Sequence, residues 1–336
     1  MMATCPGRHA GPFAILVLIS AVTMLRALDG PADLLSIARE QERWLHAVGG
    51  LHVTYAIRER ATCKLSEAMK PPPELFWQSE TESWYDRGLA GYRHEARLDL
   101  DGFAAAVREA AKREPRLSPK RFSSYRSSSL LVVTTTGSAY LEKENGRLRL
   151  RRLSTAEDAP GLESGFGIQP LLMPMWIHTF TAEGPMCGTQ FVHPFVKPAA
   201  LDGVRVQIDK AYAPAPRQWE VQAHLTFTAC PDQAPAPVTI RLGRLGPADG
   251  PQFWFPTSLQ MEGRSTQVRW REIPGAPFVA IPESYIESSA GVLFEEHRLL
   301  KADLPSDLPL SLWSIDPLLA TEIVDETAGM AVDAAP

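Results

Sequence analysis

The chain has 336 residues, of which 45% are hydrophobic and 22% are charged, and its formal net charge is −5. The hydrophobic share excludes a wholly disordered chain, and four cysteines in this length exclude a small disulfide-stabilised scaffold. The acidic balance argues against a nucleic-acid-binding protein, which needs a basic face.

Residues 1–27 have the pattern of a secretory signal. Arg8 and His9 precede a largely apolar run over 13–25, which is shorter than the roughly 20 residues that a membrane-spanning helix needs. Ala27 is a small residue that could precede the cleavage site. We therefore predict a periplasmic or secreted protein with a cleaved signal. An uncleaved N-terminal membrane anchor is the alternative.

Removal of residues 1–27 leaves Cys63, Cys187 and Cys230. Outside the cytoplasm, an odd number of cysteines allows one disulfide and one free thiol. Cys187 and Cys230 both stand at the ends of β-like segments, so we predict that these two form the disulfide. Buried free cysteines are the alternative.

The first half of the chain begins with one predicted helix and continues with strands. Asp29 can cap a helix that Gly49-Gly50 ends. Alternating apolar residues then predict strands over 51–58 and 89–100, and aromatic residues predict one over 75–85. An alanine-rich segment over 102–114 predicts an inserted helix. Asn145-Gly146 predicts the turn of a hairpin formed by 130–141 and 147–153. Residues 166–180 are apolar and predict a helix broken at Pro174.

The second half predicts strands over 203–210, 218–229, 238–243, 253–262, 265–273 and 291–301. In the clearest of them Trp219, Val221 and Ala223 alternate with polar residues, which predicts one buried face and one solvated face. These elements predict a mainly β protein with inserted helices (α+β). Its core would be a single, strongly curved antiparallel sheet with helices on the concave side.

Motifs of common enzymes are incomplete in this sequence. Gly161-Leu162-Glu163-Ser164-Gly165 places its serine one position late for a nucleophile elbow, and His94-Glu95 lacks the second histidine of a metalloprotease helix. His178, Cys187 and His193 match no familiar metal-ligand spacing. Glu295 and Glu296 point to opposite faces of a predicted strand, which favours solvated charges over a catalytic pair. We therefore predict a protein that is not an enzyme and needs no cofactor or metal.

The order of the segments is more informative than any single motif. A signal is followed by a helix and by Gly50-Leu51-His52-Val53-Thr54-Tyr55, and later come an Asn-Gly hairpin, Leu201-Asp202-Gly203-Val204 and Phe253-Trp254-Phe255-Pro256-Thr257. This order resembles the outer-membrane lipoprotein carrier superfamily, including its lipoprotein-sorting relatives. The resemblance implies a half-open β-barrel whose helices cover a hydrophobic cavity for acyl chains. It divides the chain into a signal (1–27), a carrier-like domain (28–310) and a C-terminal tail (311–336).

The function that follows is the binding of a lipid or of the acyl chains of a lipoprotein, with transient membrane contact and no nucleic acid. A second hypothesis is a structural or sensory envelope protein that binds another protein. The predicted ligand-binding residues form a flexible lid over the cavity, because Pro170 and Pro174 prevent one rigid helix and methionine adapts to ligands of varying shape. They are Leu171, Leu172, Met173, Met175, Trp176 and Phe180.

Overall fold

The computed structural model describes residues 49–86, 91–122, 130–134, 137–144, 147–153, 204–227, 234–245, 253–261, 263–272, 280–325 and 330–332. In these residues the protein is mainly β with few helices. Its strands form one large sheet that is curved, unclosed and mixed.

The sheet has fifteen strands in the described part of the chain. They are β1 Gly50–Arg60, β2 Phe76–Asp86, β3 Gly91–Leu98, β4 Leu130–Thr134, β5 Gly137–Glu144, β6 Arg147–Leu153, β7 Val204–Ala215, β8 Gln218–Phe227, β9 Ala236–Leu245, β10 Phe253–Met261, β11 Arg264–Glu272, β12 Ala280–Ser289, β13 Val292–Asp303, β14 Glu322–Asp325 and β15 Met330–Val332. The helices are α1 Lys64–Ala68 and α2 Leu100–Ala111, and three 3₁₀ turns span Pro119–Arg121, Leu310–Trp313 and Pro317–Leu319.

Two meanders make up most of the sheet. The first runs in order from β1 to β6, the second from β7 to β13, and the two join where β1 pairs antiparallel with β13. Beyond β6 the sheet continues through β14 and β15. Since β14 pairs parallel with β6, the sheet is mixed where we predicted an antiparallel one. The exception arises in the C-terminal tail: after β13 the chain crosses the first meander to its outer edge, where β14 runs in the same direction as β6.

The alternation predicted for β1 is confirmed. Leu51, Val53 and Tyr55 are each 1% exposed and Ile57 is 3% exposed. The inserted helix is also confirmed as α2, which begins two residues before the predicted start. Its Asp99 side chain caps the first turn by accepting a hydrogen bond from the Gly102 backbone N–H at 2.8 Å.

The predicted hairpin is confirmed by the antiparallel pairing of β5 with β6, although the residues Asn145-Gly146 themselves lie outside the described part. The segment 130–141 was predicted as one strand and is two, β4 and β5. The prediction missed this reversal because the threonine run before Gly137 favours strand and contains none of the usual turn residues.

Strand β12 was not predicted, because Pro282 lies inside it and polar residues interrupt its apolar pattern. The strand accommodates the proline at an irregularity: Pro282 pairs with Trp270 next to a register shift between β11 and β12. Pro256 in β10 likewise adjoins a register shift against β9. Proline lacks the N–H of a regular ladder, so these bulges let a proline-rich half of the chain remain a sheet.

Candidate functional site

The central strands bury one face of the sheet, here called the buried face. These side chains lie on the same side of the sheet, because residues directly opposite each other on paired strands point to the same face. Each of the following is at most 6% exposed: Leu51, Val53, Tyr55, Ile57, Thr81, Ser83, Tyr85, His94, Ala96, Val221, Ile240, Leu259, Val268, Tyr285 and Leu299. The face is therefore apolar and aromatic over most of its width, from β8 to β3.

One polar group on the buried face is formed by β12 and β13, and we call it the acid–histidine cluster. His297 Nε2 lies 2.6 Å from Glu295 Oε1, and the two side chains are 0% and 4% exposed. The Tyr285 ring packs edge-on against the His297 ring, and the Tyr285 hydroxyl donates to Glu287 Oε2 at 2.6 Å. Burial and the neighbouring Glu287 carboxylate raise the pKa of Tyr285 well above its usual value, so this phenol stays a donor.

This cluster corrects one expectation. Glu295 and Glu296 do point to opposite faces, but Glu295 is a buried partner of His297 and not a solvated charge. A buried carboxylate is stable only with hydrogen-bond donors nearby, and His297 supplies one when it is protonated or carries its proton on Nε2.

A second polar group lies on β2 and β3. Ser79, Thr81 and Ser83 follow one another on the buried side of β2, and we call them the hydroxyl row. Ser83 Oγ lies 2.9 Å from His94 Nδ1, across the pair of strands. The sequence pattern did not reveal this row, because both faces of β2 are polar here: charged residues alternate with small hydroxyl-bearing ones. The difference in side-chain size was the only available signal.

Tyr55 connects the two meanders across the buried face. Its hydroxyl donates to the backbone carbonyl of Pro282 at 2.8 Å, and burial raises the pKa of the phenol. The bond holds β1 against β12, two strands away, and fixes the shape of the face between the two polar groups.

The opposite face of the same central strands is charged. A depression of about 570 Å³ lies over Ala56 and is bordered by Arg58, Arg97 and Arg298 together with Glu80 and Glu296. Because charges of both signs border this depression, it has no clear preference for an anion or a cation. The described part of the chain also contains no group of three or more His, Cys, Asp or Glu side chains placed to hold a metal ion.

The predicted lid residues, Leu171, Leu172, Met173, Met175, Trp176 and Phe180, lie outside the described residues, as do the predicted signal and the pair Cys187 and Cys230. Cys63 is described and is a free thiol. Among the described helices, none is long and apolar enough to cross a membrane.

Comparison with known proteins does not assign the chain to a family. No protein-family model matches the chain, and no curated protein matches it significantly. The resemblance to the lipoprotein carrier superfamily stays a prediction.

Proposed function

We propose that this chain is an exported, non-catalytic envelope protein that binds a lipid or the acyl chain of a lipoprotein on the buried face of its sheet. The observation that carries the proposal is the width of that face. It is apolar across strands of both meanders, yet the sheet does not close into a barrel that would fill it with its own side chains.

The two described helices account for only one corner of this face. Phe103 of α2 stacks on Trp77 of β2 with ring centroids 3.4 Å apart, and Leu65 and Met69, in and just after α1, pack into the same cluster. The face as a whole is shielded from solvent, which is the environment that an apolar ligand such as an acyl chain requires. The proposal includes the finer architecture implied by the resemblance, a half-open β-barrel with helices on the concave side.

The binding of another protein is the second candidate function. It is favoured by three exposed leucines near the C terminus: Leu310, Leu318 and Leu319 are 76%, 91% and 50% exposed. Exposed apolar residues grouped in one short segment are more typical of a contact surface than of free solvent. This segment lies on the outer side of the sheet end, so it would leave the buried face available.

The test is a titration of the delipidated mature protein with cis-parinaric acid, a fatty acid whose fluorescence rises in apolar sites. We expect saturable binding that palmitate competes away. Native mass spectrometry of the protein before delipidation should show a bound lipid. At a ligand concentration of about 100 times Kd, the free energy of unfolding should increase by about 2.7 kcal/mol, and the thermal midpoint should rise accordingly.

The absence of saturable binding, together with a lipid-free mass before delipidation, would contradict the proposal. A stoichiometric protein partner in the same spectrum would instead support the second candidate.

A further inference from the structure

We infer that the second meander carries a binding site for a neutral, extended oligosaccharide. The site lies on the face of the sheet opposite the buried face, here called the outer face, and takes one sugar ring on each of four neighbouring strands, β8 to β11. The sheet itself separates this site from the buried face, so the inference goes beyond the proposed function and does not depend on it.

A depression of about 620 Å³ lies over this part of the outer face. It is lined by four polar side chains that stand directly opposite one another on paired strands, here called the neutral row. They are Gln222 of β8, Thr239 of β9, Gln260 of β10 and Ser265 of β11. Val221, Ile240 and Leu259, each next to a member of the row along its strand, belong to the buried face, so the neutral row points outward.

Each ionisable side chain that lines this depression already has a partner. Asp209 Oδ2 lies 2.7 Å from His224 Nδ1, and Arg264 Nη1 lies 3.8 Å from Glu287 Oε1. A charged ligand in the depression would have to compete with one of these pairs. This arrangement differs from the depression over Ala56, which is bordered by charges of both signs.

The polar groups that remain for a ligand are neutral. Within the described part of the chain, no hydrogen bond is made by the side chains of Thr239, Gln260 and Ser265. Amides and hydroxyls both donate and accept, as the hydroxyl groups of a sugar do, whereas an ion needs an opposite charge when it leaves water. The neutral row therefore selects an uncharged ligand that is rich in hydroxyl groups.

The spacing of the neutral row matches an extended glycan. Neighbouring strands lie about 4.8 Å apart, so the four side chains cover about 14 Å across the sheet. Successive rings of a β-1,4-linked glycan follow one another at nearly this interval in a straight chain, whereas an α-1,4-linked chain curves. Each ring of a straight tetrasaccharide can therefore meet its own amide or hydroxyl in the row.

The depression is open on the side where the strands end. Gly263 and Gly291 line it there, each in a hairpin turn with a φ of +78°, and a Cβ at either position would meet nothing within 4 Å. The Ala290 backbone N–H donates to the Gly263 carbonyl at 2.8 Å and holds the two turns together. Substituents on the sugar rings have room to project past these turns.

The test compares two tetrasaccharides of glucose that differ only in their linkage. Cellotetraose is β-1,4-linked and extended, and maltotetraose is α-1,4-linked and curved. Saturation-transfer NMR titrations measure the binding of both sugars to the wild-type protein, to Gln260→Ala, to Thr239→Val and to Gln78→Ala. Gln78 is the matched control, because it is an exposed glutamine on the outer face of β2, five strands away from β10.

We expect the wild-type protein and Gln78→Ala to bind cellotetraose saturably and more tightly than maltotetraose. Gln260→Ala and Thr239→Val should each weaken cellotetraose binding by about threefold to tenfold, the value of one neutral hydrogen bond. The unfolding midpoint of Gln260→Ala should match that of the wild-type protein, because this side chain is exposed and makes no hydrogen bond in the described part of the chain.

The absence of saturable cellotetraose binding by the wild-type protein, or equal affinity for maltotetraose, would overturn the inference. Cellotetraose binding that is unchanged in both Gln260→Ala and Thr239→Val, or that falls equally in Gln78→Ala, would overturn the role of the neutral row. None of these outcomes changes the test of lipid binding, which concerns the other face of the sheet.

Discussion

Glu220 shows how a single residue departs from the alternation of its strand. The pattern of β8 predicts it on the solvated face, yet it is 6% exposed. The Tyr212 hydroxyl donates to one carboxylate oxygen, and Arg241 Nε donates to the other at 2.8 Å. The predicted apolar side of the same strand is confirmed by Val221 and Ala223, at 0% and 2% exposure. On this polar outer face, the side chains of Tyr212 and Arg241 therefore shield the Glu220 carboxylate from solvent.

These contacts predict a pH-dependent contribution to stability. The hydrogen bonds from Tyr212 and Arg241 lower the pKa of Glu220 in the folded state. The ionised carboxylate of Glu220 therefore stabilises the folded protein relative to the unfolded chain. The stabilisation is complete above the unfolded pKa of about 4.3 and is lost as the pH falls through the lower folded pKa. Glu220→Gln should therefore lower the free energy of unfolding by about 1 kcal/mol at pH 7 and by less at pH 3.

Urea denaturation of both proteins at the two pH values measures this difference. Glu80→Gln is the matched control, because Glu80 is exposed on the same outer face and forms no ion pair in the described part of the chain. A Glu220→Gln effect that is the same at pH 7 and pH 3 would show that the charge of Glu220 does not contribute.

At the scale of elements, the C-terminal tail is the least expected part of the fold. Residues 310–325, here called the strap, lie along the outer side of β3 to β6. Arg93 donates to the carbonyls of Leu312 and Ser314 at 3.0 and 3.2 Å, and Trp313 packs directly over Gly91, where any Cβ would lie 2.8 Å from its ring. Arg149 pairs with Glu322 where β14 joins β6.

The strap is needed because this end of the sheet is apolar on both faces. Leu130, Val132, Leu141 and Leu150 point away from the buried face and form a cluster that Ile315 completes. Without the strap these residues would be an exposed apolar patch beside an open strand edge at β6.

Ile315→Ala should therefore lower the free energy of unfolding by about 2–5 kcal/mol, as expected for a large-to-small change at a site only 5% exposed. Leu318→Ala, three residues further along the strap, should change it by less than about 0.5 kcal/mol, because Leu318 is 91% exposed. Denaturant midpoints of the two variants give the comparison. Similar losses at both positions would mean that the strap is not seated as described.

At the scale of the whole molecule, an open sheet must protect its edges. In the described structure the edges are β7 and β15. Strand β7 has two register shifts against β8, and it also contains Lys210 and Pro214. Strand β15 spans three residues. Bulges, a lysine, a proline and a very short strand all hinder pairing with a second chain. The sheet can therefore stay open without becoming a site of aggregation.

The sequence was sufficient for the elements whose apolar residues alternate cleanly. The strands β1, β3 and β8 and the helix α2 follow from residues such as Leu51, Val53 and Val221, because one side of each packs and the other does not. The sequence was insufficient where the existence of a strand depends on pairing with residues that are distant along the chain. Strand β12 depends on its own bulge against β11, and β14 depends on the edge of β6.

The candidate site was harder to predict than the fold. The acid–histidine cluster requires that His297, Tyr285 and Glu287 meet across two strands, and the register between those strands cannot be obtained from local pattern. The hydroxyl row is local in sequence, but its burial depends on the whole sheet. The predicted lid and disulfide stay predictions, since their residues lie outside the described part of the chain.

The central claim is that an acyl chain lies on the buried face of the sheet. Photolabelling tests it most directly, with a fatty acid that carries a diazirine in its chain and with tandem mass spectrometry to locate each labelled residue. Alternation along β2 makes the result unambiguous, because neighbouring residues point to opposite faces. We predict labels on Ser79, Thr81 or Ser83 that excess palmitate removes, and none on Gln78, Glu80 or Glu82. Palmitate-sensitive labels confined to those three outward residues or to the strap would contradict the account.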